Sequence, residues 1–212
     1  AFSSNQRTVK NVSVKACIVE KYSPYIPLSE TLYKTSWIIE SGAIDCGEGW
    51  IVEGNEVRLS HTTGISLFHN CVARWNYCHD NGIIGIGVIQ KDGSNALIEN
   101  NEVSYNHSLP FHDHKVTAGI KNLYGVDVTI RGNYIHHNDS RGIWLDCRTV
   151  GTLIEYNRID SNSFTGITVE VNMPGNNMNE IIRNNQIINN GLDIRTTETR
   201  QVNEIVLQCS EG

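Results

Sequence analysis

One pattern constrains this chain before any other. Asn133, Ile135, Asn138, Gly142, Ile143 and Leu145 recur 24 positions later as Asn157, Ile159, Asn162, Gly166, Ile167 and Val169. Self-similarity at such a period marks a repeat architecture. The frame extends in both directions, with its first asparagine at Asn55, Asn76, Asn101, Asn133, Asn157 and Asn185. Five residues later stand Ser60, Asn81, Asn106, Asn138, Asn162 and Asn190, and Gly-Ile pairs open the next segment at Gly64, Gly85, Gly119, Gly142 and Gly166. Apolar residues or cysteine occupy the position three before and the position two after each first asparagine.

Each copy holds two or three short runs of alternating apolar residues separated by Asn and Gly. Alternation implies strands with one buried face, and Asn and Gly tolerate the left-handed backbone of a sharp corner. No stretch has a helical period. Copies of 21 to 25 residues fit one coil of a parallel β-helix, whose equivalent residues stack ~4.8 Å apart. The fold class is therefore all-β, a right-handed parallel β-helix of about six to seven coils. Its inward Ile, Val and Leu form apolar columns, and its corner asparagines form hydrogen-bonded ladders.

A length of 212 residues implies one domain. Residues 11–41 read as an irregular first coil with a flanking loop, 42–191 as regular coils and 192–212 as an incomplete last coil. In the first coil Val14 and Val19 take inward slots, and Cys17 takes the place of a ladder asparagine. The chain stops in mid-coil, and an exposed edge strand templates pairing. A longer helix, or a partner covering that end, is the expectation. The net charge of −6 without a Lys/Arg cluster argues against a nucleic-acid partner, and no apolar run approaches a membrane span. Of six cysteines, Cys78 reads as a buried hydrophobe, while a Cys71–Cys78 disulfide stays open.

The strand after each Gly-Ile pair carries the candidate chemistry. If the Ile points inward, Lys121, Trp144 and Thr168 share one outward column and Asp146 stands beside Glu170 in the next. Neighbouring carboxylates repel, so one titrates high or the two share a cation. Ca²⁺ is the candidate, and no other cofactor is expected. An aromatic flanked by carboxylates and a lysine on an open face makes a sugar platform. The overlong copy inserts 107–117 beside it, bringing His112, His114 and Lys115. A second outward column contains His136, for which Asp160, one coil on, is the expected carboxylate partner.

From Asn11 to Gly191 the chain resembles the right-handed parallel β-helix repeat proteins of the pectate-lyase-like superfamily. The matching pieces are Gly49-Trp-Ile-Val-Glu-Gly-Asn55, Asn95-Ala-Leu-Ile-Glu-Asn-Asn-Glu-Val103, Ala118-Gly-Ile-Lys121, Gly142-Ile-Trp-Leu-Asp146 and Gly166-Ile-Thr-Val-Glu170. Lys121, Trp144, Asp146 and Glu170 fall on recurring motif positions of that group. The resemblance implies a secreted or cell-surface protein acting on a polysaccharide, foremost a lyase of uronate-containing polymers. Asp146 and Glu170 would then handle Ca²⁺ or the uronate carboxylate, and Lys121, His112 or His114 would be the base. Trp144, Thr168, Arg148 and Lys115 would contact the sugar. A glycoside hydrolase using Asp146 and Glu170, or a non-catalytic carbohydrate-binding or structural β-helix, remains the alternative. Fold alone does not choose among them.

Overall fold

The computed structural model describes residues 2–3, 8–22, 42–89, 95–108, 116–171, 179–191 and 204–209. Within them every strand pairing is parallel and one coil apart in sequence, as the repeat demands. An eight-stranded sheet contains the longest strands, among them Thr63–Leu67, Ile84–Val88, Ala118–Leu123, Arg141–Asp146 and Ile167–Val171. Two seven-stranded sheets of three-residue strands complete each coil. The second sheet contains Leu153–Glu155 and the third contains Tyr134–His136, Arg158–Asp160 and their equivalents. The result is a parallel β-helix with one continuous apolar interior.

Register follows the repeat. Ile65, Ile86, Ile120, Ile143 and Ile167 pair in sequence and are fully buried, as are Val57, Cys78, Val103, Ile135 and Ile159 in the third sheet. No disulfide joins Cys71 to Cys78, so the pairing considered above does not form. Cys78 lies in the apolar column of the third sheet, where burial drives its thiol pKa far upward. Cys71 instead turns its sulfur to the Gly47 carbonyl, 3.0 Å away.

Both asparagine ladders form. In the first, Asn133 Nδ2 donates to Asn157 Oδ1 at 2.9 Å and to the Ile98 carbonyl at 2.9 Å, and the same pattern runs from Asn55 to Asn185. Cys17 holds the expected ladder slot, its backbone N–H donating to Asn55 Oδ1. The second ladder runs from Asn81 to Asn190 and is closed by Glu204, whose Oε2 accepts from Asn190 Nδ2 at 2.7 Å. The residue before each ladder position is left-handed, including Trp75, Tyr105, His137 and Tyr156 with φ between 51° and 55°. Such bulky residues pay about 1–2 kcal/mol each for that conformation. The ladder bonds of the following asparagine offset it, which is why the corners are not confined to Gly and Asn.

A glycine column leans on the second ladder. A Cβ at Gly142 would lie 2.6 Å from the Gly166 carbonyl, 2.7 Å from Ile159 Cγ2 and 2.9 Å from Asn162 Nδ2. Backbone and a ladder side chain cannot yield cheaply, so Gly142→Ala should cost about 1–3 kcal/mol in urea denaturation. A loss below that range would show that adjacent coils slide apart.

Outside the second sheet a column alternates in sign: Lys15, Glu53, Arg74, Glu99, Arg131, Glu155 and Arg183. Arg74 bridges to Glu53 at 2.6 Å, Arg131 to Glu99 at 2.8 Å and Arg183 to Glu155 at 2.8 Å. Exposed pairs contribute little stability. Their alternation does oppose a slip of one coil, which would place like charges together.

Candidate functional site on the long-strand sheet

The strands Ala118–Leu123, Arg141–Asp146 and Ile167–Val171 stack in the expected register. Lys121 pairs with Trp144, and Trp144 with Thr168. Alternation turns these three away from the apolar interior. Leu145 pairs with Val169, which sets Asp146 beside Glu170 on neighbouring coils.

This outward face is not open. Lys121 is 2% exposed, Trp144 3%, Thr168 1% and Asp146 8%. Lys121 Nζ donates to Asp146 Oδ2 at 2.8 Å and stands 3.5 Å from the centre of the Trp144 ring. The Arg141 guanidinium also lies over Trp144, at 4.0 Å, and over Phe164 at 4.7 Å. Trp144 is thus no exposed sugar platform, because two cations occupy its π-system. Its indole N–H donates to Glu170 Oε2 at 3.2 Å, orienting that carboxyl. Thr168 Oγ1 is hydrogen-bonded to Thr165 Oγ1 at 2.7 Å.

The accessible rim consists of other groups. Glu170, Tyr124 and Cys147 are half-buried, and Arg148 is exposed. Cys147 and Arg148 are consecutive left-handed residues, with φ 50° and 56°, that break the strand directly after Asp146. The Cys147 thiol donates to Asp146 Oδ1 at 3.0 Å and is hydrogen-bonded to the Tyr124 side chain. Burial and then Asp146 push the thiol up to about 11, so it is not a nucleophile at neutral pH. Burial, then Cys147, also raise the Tyr124 phenol, and the Arg148 charge acts on it in the opposite sense. Sequence reasoning missed Arg141, Tyr124 and Cys147.

Burial lowers the Lys121 pKa, opposed by Asp146. Burial, then Asp146, raise the Glu170 pKa, opposed by Arg141, Trp144 and Lys121. A carboxyl raised in the folded state stabilises below its unfolded pKa, and that contribution is lost as pH rises through the folded value. Glu170→Gln should therefore melt above the parent protein at neutral pH. The two should converge below the ordinary 4.5, a comparison that thermal scans at several pH values make directly. A mutant less stable at neutral pH would contradict the burial assigned to Glu170.

The donors present do not fit Ca²⁺. That ion takes about six to eight oxygens, whereas the two oxygens of Asp146 already accept from an ammonium and a thiol. Among the described residues no three metal-binding side chains converge. His112, His114 and Lys115 lie outside the described residues.

The third sheet's histidine column departs from expectation. Asp160 is engaged by Arg158 at 2.9 Å and Ser161 at 2.7 Å. His136 instead reaches back one coil, its Nε2 lying 3.2 Å from Glu102 Oε1.

Three parallel sheets, asparagine ladders and a one-coil register define a β-helix solenoid. A family model described as "right handed beta helix region" matches residues 42–206. The chain belongs to that family. No protein of curated function matches it. The solved structure of XylC in complex with xylose is similar, with a TM-score of 0.51 and 23% identity over 58% of this chain. The match spans only 25% of the XylC chain.

Proposed function

We propose that this protein is a carbohydrate-active β-helix that cleaves an acidic polysaccharide by β-elimination, with Glu170 as its base. One observation carries the reading. Glu170 is a half-buried carboxyl of raised pKa on the rim of an otherwise buried charge cluster. A raised pKa makes its carboxylate a stronger base than an ordinary one. Glu170 takes the proton on the carbon next to the uronate carboxylate, and exposed Arg148 neutralises that carboxylate. The C–O bond one carbon further along breaks, a C=C bond forms, and Tyr124 returns a proton to the leaving oxygen. Lys121, too buried to act as a base, holds Asp146. The similarity to a β-helix protein solved with xylose supports a carbohydrate as the substrate class, and a secreted or cell-surface location goes with it.

The placement of Asp146 and Glu170 on adjacent coils favours a second reading, glycoside hydrolysis by a carboxyl pair. Both oxygens of Asp146 being occupied weighs against it. Incubation with a panel of uronate-containing and neutral polysaccharides separates the readings. Elimination predicts ultraviolet-absorbing unsaturated ends, from uronate polymers only, unaffected by chelators. Reducing ends without unsaturation would replace elimination by hydrolysis, and binding without cleavage would leave a carbohydrate-binding protein.

A further inference from the structure

The coils turn from the second sheet into the third through one left-handed residue each. These residues stack in a column that includes Gly54, Trp75, Asn100, Gly132, Tyr156 and Asn184, with φ between 54° and 64°. Gly and Asn adopt that conformation readily, whereas a bulky side chain is an outlier there. Trp75 and Tyr156 are the outliers. The ladder tolerates them without requiring them, and neither belongs to the apolar interior, since Trp75 is 55% exposed and Tyr156 63%. Strained residues that the packing does not need point to function.

We infer that Trp75 and Tyr156 form a binding edge for a glycan chain lying along the solenoid axis, separate from the long-strand sheet. The pairings Arg74–Glu99, Glu99–Arg131 and Arg131–Glu155 fix the stacking of the residues that follow them. Three coils therefore separate the two rings, about 14 Å at ~4.8 Å per coil. Between them the edge is low. A Cβ at Gly132 would lie 2.5 Å from Asn100 Oδ1, so the Asn100 carboxamide lies against Gly132 and no bulky side chain stands between the rings. The Arg74 guanidinium braces Trp75, 4.6 Å from its ring centre.

Chemistry selects the ligand class. An exposed aromatic ring offers a flat apolar face and, in Trp and Tyr, a polar tip. A sugar matches both, its C–H face packing on the ring and its hydroxyls turning to neighbouring polar groups. Asn100 supplies an amide with donors and an acceptor, and exposed Glu102 and Arg158, each two residues past the corner, add acceptors and donors alongside. Other partners fit less well. Asn100 and Gly132 interrupt the apolar surface, so a protein or lipid face meets no continuous patch. The net charge of −6 opposes a nucleic acid. Tyr105, the exposed aromatic at the far corner of the third sheet, is already stacked on His137 at 5.3 Å. The edge shares its ligand class with the proposed function and requires nothing of Glu170.

The test is affinity electrophoresis of the whole protein through gels containing xylan, mannan, β-glucan or polygalacturonate. At least one polymer should retard the parent protein and Glu170→Gln alike. Trp75→Asn and Tyr156→Asn install a residue that the same column already carries at Asn100 and Asn184. Each should weaken binding about tenfold and, with the left-handed strain relieved, melt no lower than the parent. Tyr105→Asn should bind as the parent does. Failure of every polymer to retard the protein, or full retardation of both corner variants, would overturn the edge. A fall in melting temperature in those variants would overturn it too, by making the rings structural. Cleavage by the parent enters none of these outcomes, so the edge and the elimination at Glu170 stand or fall separately.

Discussion

Replacing Asn138 by Ala should destabilise the protein by about 3–5 kcal/mol, without touching any group of the candidate site. Asn138 is 1% exposed in the middle of the second ladder. Its Nδ2 donates to Asn162 Oδ1 at 2.9 Å and to the Val103 carbonyl at 3.1 Å. Its Oδ1 accepts from the backbone and the side chain of Asn106, at 3.1 and 2.9 Å. Each bond contributes roughly 1 kcal/mol net, and a buried N–H left without an acceptor costs roughly 1–3 kcal/mol more. The N–H orphaned here is that of Asn106, itself fully buried. Asn185→Ala is the control. That residue ends the first ladder and is half-exposed, so water replaces its lost bonds and the loss should be about 1–2 kcal/mol. Equal losses at the two positions would mean that ladder bonds in the interior are not protected from solvent.

Asp146→Ala should cost about 3–5 kcal/mol as well, for an electrostatic reason. The substitution strands the Lys121 ammonium in a position 2% exposed, with an aromatic ring and a guanidinium for company. Breaking one side of a buried pair is far more costly than replacing both partners. Adding Lys121→Met to Asp146→Ala should therefore recover much of the loss, giving a large coupling term in the double-mutant cycle. Additive effects would show that the ammonium is solvated or already neutral. The same cycle separates the two roles considered for Lys121. A buried counter-ion gives strong coupling in stability, whereas an exposed base gives none.

Much of the fold was legible in the sequence because the solenoid writes its rules once per coil. The Gly-Ile pairs set the phase of the long strands, so the columns Lys121–Trp144–Thr168 and Asp146–Glu170 could be placed by counting. Cys17 was assigned to its ladder slot the same way. What counting cannot report is lateral cover. Outward was equated with exposed, and Trp144 proved buried because Arg141 and Lys121 close over it. Arg141 shares the parity of inward Ile143 and Leu145, yet it is the first residue of its strand and its guanidinium lies over the Trp144 and Phe164 rings. The partner of His136 differs from the expected one for a related reason. Register places Asp160 beside it, but Arg158 and Ser161 satisfy that carboxylate, and the imidazole turns back to Glu102. The alternating charges two residues before each first asparagine are equally legible in the sequence, but only when one column is followed along the axis from copy to copy.

The proposed elimination requires Glu170 to exchange a proton with the substrate. The most direct measurement is the turnover of Glu170→Gln on whichever polysaccharide the parent protein cleaves, with binding followed separately. Removing an acid–base group of this kind lowers the rate by a factor of about 10²–10⁴. A fall of at least about a hundredfold in kcat is expected, with sugar binding retained and the melting temperature raised at neutral pH. A Glu170→Gln protein that is as active as its parent would contradict it.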